Sequence, residues 1–254
     1  MAKTTKKKSR PPEPTVELPR PPGADSDPFL VVGWDQSTNH GGIVVLDNLG
    51  DLVDFFFLAD RAMDAKKRKG AARIPNRIKA YKEKGVRDCR RLVWVGRWLA
   101  ALVNHLHRIA DGRPVYMAIE DYAYGASGQV YQIAEVVGSL KGTALTHPGG
   151  KFRLRLYDPM SVKLFAANHG HADKEDMRLA AMKNWGADFD QYGPGPEEDL
   201  CDALALAVMA WTEAHVRAGR LNLSDLPEGQ RRIFLRTTKT YPVNVLDRDW
   251  VTLR

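Results

Sequence analysis

The stretch FLVVGWDQSTNHGGIVVLD, residues 29–47, contains two apolar runs joined by a polar turn and a glycine pair. The first run ends at Asp35, and the second follows Gly41-Gly42. A third run, LVDFFFL at residues 52–58, follows the turn signal Leu49-Gly50. Short β-rich runs separated by turn residues are typical of consecutive strands. The sequence therefore predicts a three-stranded meander with an acid at the end of its first strand.

The central part of the chain then alternates between helix and strand signals. Apolar residues recur at steps of three and four from Leu92 to Ile109, which predicts an amphipathic helix over residues 91–110. The stretch VYMAIEDY, residues 115–122, predicts a buried strand that carries Glu120. The other predicted elements are a helix over 130–146, a fifth strand over 153–158, and helices over 161–168, over 174–185 and from about residue 198 onward. This order predicts an α/β domain with a five-stranded mixed sheet flanked by helices.

The two ends and one internal segment differ in composition from this predicted domain of residues 29–215. Residues 1–28 combine lysines with seven prolines and almost nothing apolar, which predicts a disordered basic arm. Residues 61–91 hold 13 basic residues against three acids, which indicates a basic insertion. Residues 216–254 are irregular and basic, and we interpret them as a C-terminal extension of uncertain structure.

Charge and cysteine content narrow the classes of function. The chain has 38 Lys and Arg against 31 Asp and Glu, a net charge of +7 and a pI near 9.4. This balance favours a polyanionic partner, either a nucleic acid or an anionic membrane. No apolar run approaches the roughly 18 residues that span a bilayer, so no membrane partner is expected. Cys89 and Cys201 form no C-x-x-C pair, which argues against a zinc site or disulfide framework and favours a reducing, intracellular setting.

Four acids stand where separate elements could bring them together. Asp35 ends the first strand, and Glu120 lies on a strand predicted to be central. Asp199 and Asp202 are three residues apart at the start of the last helix, so their side chains share one face. Magnesium prefers oxygen ligands, and its sequence signature is several acids that arrive from separate elements. Their order along the chain therefore favours a joint magnesium site.

Each acid also has a structural explanation when it is considered alone. Asp35 could be a turn residue, and Glu120 an outward-facing carboxylate. Acids at a helix start interact favourably with the helix dipole, and we assign Glu197 and Glu198 only that role. His169 and His171 form an H-x-H pair beside Asp173, but without a third clear ligand we expect a surface loop near nucleic acid.

These residues resemble the RuvC-type Holliday-junction resolvases of the ribonuclease-H-like superfamily. The resemblance runs from about Phe29 to Trp211 through GWDQSTNHGGIVVLD, AIEDYAYG, IAEVVGSLKGTAL, YDPMSVKLFAANHGHADKEDM and DLCDALALAV. It implies a ribonuclease-H-like fold and a magnesium-dependent endodeoxyribonuclease that cleaves four-way DNA junctions. By the resemblance, Asp35, Glu120, Asp199 and Asp202 correspond to four acidic ligands of two Mg²⁺ ions, for which Mn²⁺ should substitute.

The resemblance also implies roles for basic and aromatic residues. Lys163 in Pro159-Met-Ser-Val-Lys163 and Lys174 in Gly170-His-Ala-Asp-Lys174 correspond to lysines that contact the DNA backbone or the scissile phosphate, and Lys174 is counted among the catalytic residues. Tyr122 and Tyr124 are candidates for the aromatic residue that helps to unstack the centre of the junction.

Compact members of the family that this chain resembles act as homodimers, and a twofold enzyme suits a twofold junction. We therefore expect a homodimer on branched DNA. The extra basic segments suggest a phage, plasmid or organelle type of member. The expected location is the cytoplasm, associated with the nucleoid, or an organelle if the source is eukaryotic.

The chemistry implied is hydrolysis, in which one metal activates a water and the other stabilises the departing 3′ oxygen, leaving 5′-phosphate and 3′-hydroxyl ends.

Three alternatives to this function remain. An actin-like ATPase or sugar kinase also opens with G-x-D and a glycine-containing hairpin, but it needs a second glycine-rich turn in a duplicated domain, for which this chain is too short. A non-catalytic junction-binding or scaffold protein would bind without cutting. A related nuclease would act on RNA–DNA hybrids or flap DNA.

Overall fold

The computed structural model describes residues 13–36, 40–59, 89–121, 130–192 and 196–252, in which strands and helices alternate. The predicted elements are confirmed with small shifts at their ends. None of the helices in these ranges is long and apolar enough to cross a membrane. The elements are β1 (Leu30–Gln36), β2 (His40–Asp47), β3 (Leu52–Ala59), α1 (Cys89–Ala110), β4 (Val115–Glu120), α2 (Val130–Leu145), β5 (Phe152–Tyr157), α3 (Pro159–Ala167), α4 (Lys174–Trp185), α5 (Pro196–Arg217) and α6 (Glu228–Leu235).

The five strands form one mixed sheet in the order β3-β2-β1-β4-β5. The meander β1-β2-β3 is antiparallel, whereas β4 is parallel to β1 and β5 is parallel to β4. This arrangement confirms the predicted α/β class with a ribonuclease-H-like sheet. Trp34 pairs with Ile119 in the β1–β4 register, so Asp35 and Glu120 follow at the same level on adjacent strands.

Side chains of β1 alternate between two hydrophobic layers. Leu30, Val32 and Trp34 are buried in the layer that contains α1 and α2. Val31 is buried in the other layer, which contains most of α5. Because side chains alternate along a strand, Gly33 and Asp35 lie on the same face as Val31. The first strand therefore presents a glycine and an acid toward α5.

Glycines let α5 approach this face of the sheet closely. A Cβ atom at Gly33 would stand 2.0 Å from the carbonyl oxygen of Ala203, and one at Gly42 would stand 2.1 Å from that of Asp199. No side chain fits at such distances, so only glycine allows the two backbones to meet. The contact at Gly42 fixes the first turns of α5, which carry Asp199 and Asp202, beside the end of β1, because Asp35 pairs with Gly42.

Part of the N-terminal arm packs on the domain. Val16 and Ala24 are buried, and the backbone N–H of Glu17 donates to the carbonyl oxygen of Trp185 at 2.8 Å. The prediction of a disordered arm is therefore wrong for residues 13–28. Residues 1–12 and most of the predicted 61–91 insertion lie outside the described residues, and the division into arm, domain and extension stays a prediction.

The C-terminal extension contains structure that the sequence pattern did not predict. Ile233 and Phe234 of α6 and the following Val245 are buried in the same layer as α5. Farther along, Val251 exchanges backbone hydrogen bonds of 2.9 and 3.0 Å with Leu154 of β5. The extension therefore returns to the sheet and covers part of its β5 edge.

A buried ion pair connects β5 to α5, and the extension contacts its arginine. Arg155 of β5 donates to Glu213 of α5 at 2.6 Å, and the two side chains are 4% and 0% exposed. Tyr157 and Arg217 also donate to the Glu213 carboxylate, at 2.5 and 2.7 Å. Arg155 in turn donates to the carbonyl oxygen of Arg248 at 2.7 Å. This network satisfies both oxygens of a carboxylate that has no contact with solvent.

We expect Gly42→Ala to destabilise the fold by about 1 to 3 kcal/mol, because the new methyl group overlaps the backbone of α5. Urea unfolding followed by circular dichroism measures this change. The control is Gly138→Ala in α2, where a Cβ atom meets nothing within 4 Å, and where alanine should stabilise the helix by about 0.5 to 1 kcal/mol. Equal stability of the two variants would contradict the close approach of α5.

We expect Arg155→Ala to lower the free energy of unfolding by about 3 to 5 kcal/mol, because it takes the buried cationic partner away from the fully buried Glu213. The same unfolding experiment applies, with Lys151→Ala as an exposed control on the residue before β5. A loss below about 1 kcal/mol would contradict a stabilising role for the buried pair.

Candidate metal centre

The four predicted acids come together at one end of the sheet. Asp35 is near the end of β1 and Glu120 is the last residue of β4, on the face that α5 covers. Asp199 and Asp202 lie in the first two turns of α5. Asp199 is 4% exposed, and the other three acids are partly exposed. The carboxylates are therefore withdrawn from bulk water but remain open on one side.

Asp35 lies at the electrostatic centre of the group. Desolvation raises its pKa well above the usual value, and the negative charges of Asp202, Glu120 and Asp199 raise it further. A carboxylate is sensitive to other charges in this way only when they are close. The strand acids and the helix acids therefore form one interacting cluster.

Glu120 and Asp202 show the same pattern with a counteracting charge. Desolvation, and then the charge of Asp202, raises the pKa of Glu120 to about 7. Desolvation, and then the charge of Asp199, raises the pKa of Asp202 to about 6. The positive charge of Lys163 lowers both pKa values, and Lys174 also lowers that of Asp202. The structure therefore brings both predicted lysines within electrostatic reach of the acids.

Lys163 owes its position to the start of α3. The side chain of Asp158 caps this helix by accepting hydrogen bonds from the backbone N–H groups of Met160 and Ser161, and Pro159 occupies the first turn. An Asp cap followed by proline is a favourable helix start. The helix consequently begins directly after β5, which places Lys163 in its second turn, near Glu120 and Asp202.

Lys174 is the first residue of α4, where Asp173 and Asp176 form a capping box. Its ammonium group donates to Glu198 on α5. This bond, together with the charges of Glu198, Asp199 and Asp202, raises the pKa of Lys174, against the effect of desolvation. Glu198 therefore does more than interact with the helix dipole, which corrects the role predicted for it.

Glu197 also has partners beyond the helix dipole, so its predicted role is corrected too. Its carboxylate lies 3.4 Å from the guanidinium of Arg178. Desolvation and a hydrogen bond with Asp190 raise the pKa of Glu197 to about 7. These contacts tie the first turn of α5 to α4.

The structure does not bring the predicted histidine pair to this cluster, and two of the predicted DNA-contact residues cannot be placed. Tyr122 and Tyr124 lie outside the described residues. His169 lies 3.3 Å from Asp176 and is exposed, as is His171. The pair is therefore on the surface and does not join the acids.

Sequence reasoning missed two carboxylates near Glu120. The negative charges of Asp158 and Asp121, like the charge of Asp202, raise the pKa of Glu120. Asp121 is buried and accepts a hydrogen bond from the hydroxyl of Tyr241 in the extension. The Asp158-Pro159 pair is a readable cap signal, whereas nothing local in the sequence connects Tyr241 with Asp121.

The donor set fits a hard divalent cation. Four carboxylates offer only oxygen ligands, and their mutual repulsion is relieved by positive charge, as Mg²⁺ or Mn²⁺ would provide. Cys201 lies between Asp199 and Asp202 in the sequence, and its side chain is buried in the core. It supplies no thiolate, because burial raises its pKa strongly. Among the described residues, no group of three or more His, Cys, Asp or Glu side chains is already arranged to hold a metal ion. The fit therefore rests on donor chemistry and charge.

A mixed sheet in this order, with acids at the ends of β1 and β4 and at the start of α5, is the arrangement expected of the ribonuclease-H-like fold. Among proteins of known function, the chain is similar to RuvC, named a crossover junction endodeoxyribonuclease, from three organisms. The Synechococcus sp. strain CC9605 protein is 28% identical over 101 residues, which are 40% of this chain and 61% of the relative. The Prochlorococcus marinus strain MIT 9313 protein is 26% identical over 129 residues, 50% of this chain and 74% of the relative. The Thermus thermophilus protein is 32% identical over 115 residues, 45% of this chain and 63% of the relative.

These relatives confirm the resemblance to RuvC-type resolvases, and for two of the three the match spans somewhat less than two thirds of the relative's length. No protein-family profile matches the chain. Two solved structures of Thermus thermophilus RuvC, one of them in complex with Holliday junction substrate, align with 76% of this chain and with 98% and 97% of their own chains. Their TM-scores are 0.46 and 0.47, at 23% and 21% sequence identity.

We expect the metal-free protein to be less stable at pH 8 than at pH 5.5. The folded-state pKa values of Glu120 and Asp202, about 7 and about 6, exceed those of the unfolded chain, so the folded state binds more protons between roughly pH 4 and 7. The stabilisation that these two groups provide is fully present below their pKa values in the unfolded chain. It is lost as the pH rises through their pKa values in the folded state. Thermal melting in EDTA across this range measures the effect.

The control is Asp202→Asn, which removes one of the interacting charges. It should melt at a higher temperature than the parent at pH 8 and depend less on pH. The raised pKa values would be contradicted if the melting temperature of the parent protein rose from pH 5.5 to pH 8 and depended on pH in the same way in the variant.

Proposed function

We propose that the chain is a structure-selective endodeoxyribonuclease that cleaves four-way DNA junctions or closely related branched DNA. The observation that carries this proposal is the interacting cluster of Asp35, Glu120, Asp199 and Asp202, with Lys163 and Lys174 acting on it. The names of the RuvC relatives support branched DNA as the substrate.

The four acids would hold the metal, which we propose to be two Mg²⁺ ions, with Mn²⁺ as a substitute. Bound there, the ions supply an activated water and stabilise charge at the phosphate and the leaving oxygen. Carboxylates bind a cation in their ionised form, and the raised pKa values of Glu120 and Asp202 fall close to neutrality. Metal binding should therefore release protons and strengthen with rising pH.

The chain's own lysines would position the DNA. The positive charge of Lys163 reaches the carboxylate cluster from α3, and that of Lys174 reaches it from α4. A phosphate that enters the cluster would interact with the ammonium groups of Lys163 and Lys174. It would compete with Glu198 for Lys174. We assign Lys174 a catalytic role on this basis, and we assign phosphate contact to Lys163. Tyr122 and Tyr124 remain candidates for stacking on unpaired bases at the junction centre.

The assembly that suits this reaction is a homodimer. A four-way junction has approximate twofold symmetry, and two copies related by a twofold axis would place one cluster on each of two opposing strands. We propose a homodimer on this ground, and we propose that the protein acts where DNA is, at the nucleoid or in a DNA-containing organelle.

We expect Asp202→Asn to lower the rate of junction cleavage by at least about 100-fold, because loss of a group that only supports a metal ligand already costs roughly 10- to 100-fold. Binding of the junction should persist, since the variant removes a negative charge that repels DNA. The assay compares a labelled four-way junction, linear duplex and RNA–DNA hybrid, each in Mg²⁺ and in EDTA.

The matched control is Asp111→Asn. Asp111 is an exposed residue with φ of 48° in the turn between α1 and β4, at the opposite end of the sheet, and asparagine tolerates this conformation. It should cut at the parental rate. Metal-dependent cutting of the hybrid alone would move the substrate to another nuclease type, and binding without cutting by the parent protein would contradict an enzymatic function.

A further inference from the structure

The C-terminal extension contains a strongly basic stretch. Residues 229–246 include Arg231, Arg232, Arg236 and Lys239 and no acid. Arg232, Arg236 and Lys239 are exposed, and we call these three residues the basic strip. Exposed cations that are not offset by nearby acids attract polyanions. The position of the strip in the fold indicates which polyanion it would meet.

The strip lies along α3. Gln230 donates to the carbonyl oxygen of Phe165 at 3.3 Å, near the end of that helix. The guanidinium of Arg236 lies 3.9 Å from the sulfur of Met160, near its start. Helix α6 and the residues after it therefore follow α3 back toward the end of the sheet.

This path leads to the carboxylate cluster. Met160 and Lys163 are three residues apart on α3, so their side chains are neighbours on its surface. Lys163 is the residue whose charge acts on both Glu120 and Asp202. Arg236 is therefore one helical turn from the lysine beside the candidate metal centre.

The end of the stretch is anchored next to the site. Tyr241 donates its hydroxyl hydrogen to Asp121, the residue after Glu120. The guanidinium of Arg248 lies 4.2 Å from the centre of the Tyr241 ring. The strip is thus held between α3 and the end of β4, and its position relative to the acids is fixed by packing.

Nearby carboxylates are engaged elsewhere. Asp158 lines a small cleft together with Arg236 and Tyr241, but its oxygens accept hydrogen bonds from the first turn of α3. Among the described residues, neither Arg236 nor Lys239 has a carboxylate within ion-pair distance. Both charges are therefore available to an external phosphate.

We propose that the basic strip binds the phosphate backbone of one duplex arm of the branched substrate, directly beside the carboxylate cluster. The inference rests on the proposed function, because the cluster defines where the scissile phosphate lies. Lysine and arginine contacts to phosphates position DNA without reading its sequence. The strip would therefore fix how the arm leaves the site and would act equally on all sequences.

The test is binding of the full-length protein to a labelled four-way junction in EDTA, over a series of salt concentrations. We expect Arg236→Ala/Lys239→Ala to weaken binding by about tenfold at physiological salt. The slope of log K against log salt should fall by about 2 in magnitude, one for each lost phosphate contact.

Two further variants serve as controls. Arg108→Ala/Lys151→Ala removes two exposed charges from the opposite end of the sheet and should leave the salt slope unchanged. Arg236→Lys/Lys239→Arg keeps both charges and should bind like the parent, which separates loss of charge from loss of folding. Equal slopes for the parent and the strip variant, equal losses in both double alanine variants, or a loss in the charge-keeping variant would overturn the proposal.

Failure of the proposed function gives a different result. If the parent binds junctions through the strip but never cuts DNA in Mg²⁺, the nuclease proposal fails and the strip remains a DNA contact. If the parent binds no DNA at low salt, both proposals are overturned.

Discussion

Helix α5 can lie directly on the sheet because Gly33 and Gly42 have no side chains. At both positions a single methyl group would overlap backbone atoms of the helix. The contact at Gly42 is with Asp199 itself, and Gly42 pairs with Asp35 across the hairpin. The same packing that buries the apolar face of α5 therefore determines the separation between the helix acids and the strand acids. Loss of stability and loss of site geometry should accompany each other in this region.

The cluster carries an electrostatic cost that the rest of the fold has to offset. Desolvation and mutual repulsion both disfavour the ionised acids, as the raised pKa values of Asp35, Glu120 and Asp202 show. Lys163 and Lys174 compensate only partly from outside the cluster. The opposite arrangement holds farther along α5, where Glu213 is fully buried but has Arg155, Tyr157 and Arg217 as donors. One helix thus carries acids at its start that repel one another and the strand acids, which suits a cation, and a fully satisfied acid near its end, which holds the structure.

The sequence pattern was sufficient for most of the fold and for the expectation that the four acids lie close together. The three apolar runs of the meander, the spacing of α1 and the D-x-x-D start of α5 are local signals, and the structure has these elements where they were predicted. The structure of the extension was not predicted, because the contacts Arg155–Arg248 and Tyr241–Asp121 join residues far apart in the chain and have no periodic signature. Glu198 was assigned too small a role for the same reason, since its partner Lys174 belongs to another helix. The metal-binding and catalytic roles of the individual acids remain predictions.

The order in which these parts are synthesised has a consequence for the carboxylate cluster. Asp35 belongs to the first strand, whereas Asp202 and Tyr241 come from the last long helix and the extension. Contacts between such distant segments form late, because closing long loops costs entropy before any contact repays it. A nascent chain that has completed only the β-meander carries Asp35 but none of the other three acids, and it has no α5 to cover the sheet. A cluster assembled in this way is complete only when translation of the chain is nearly finished.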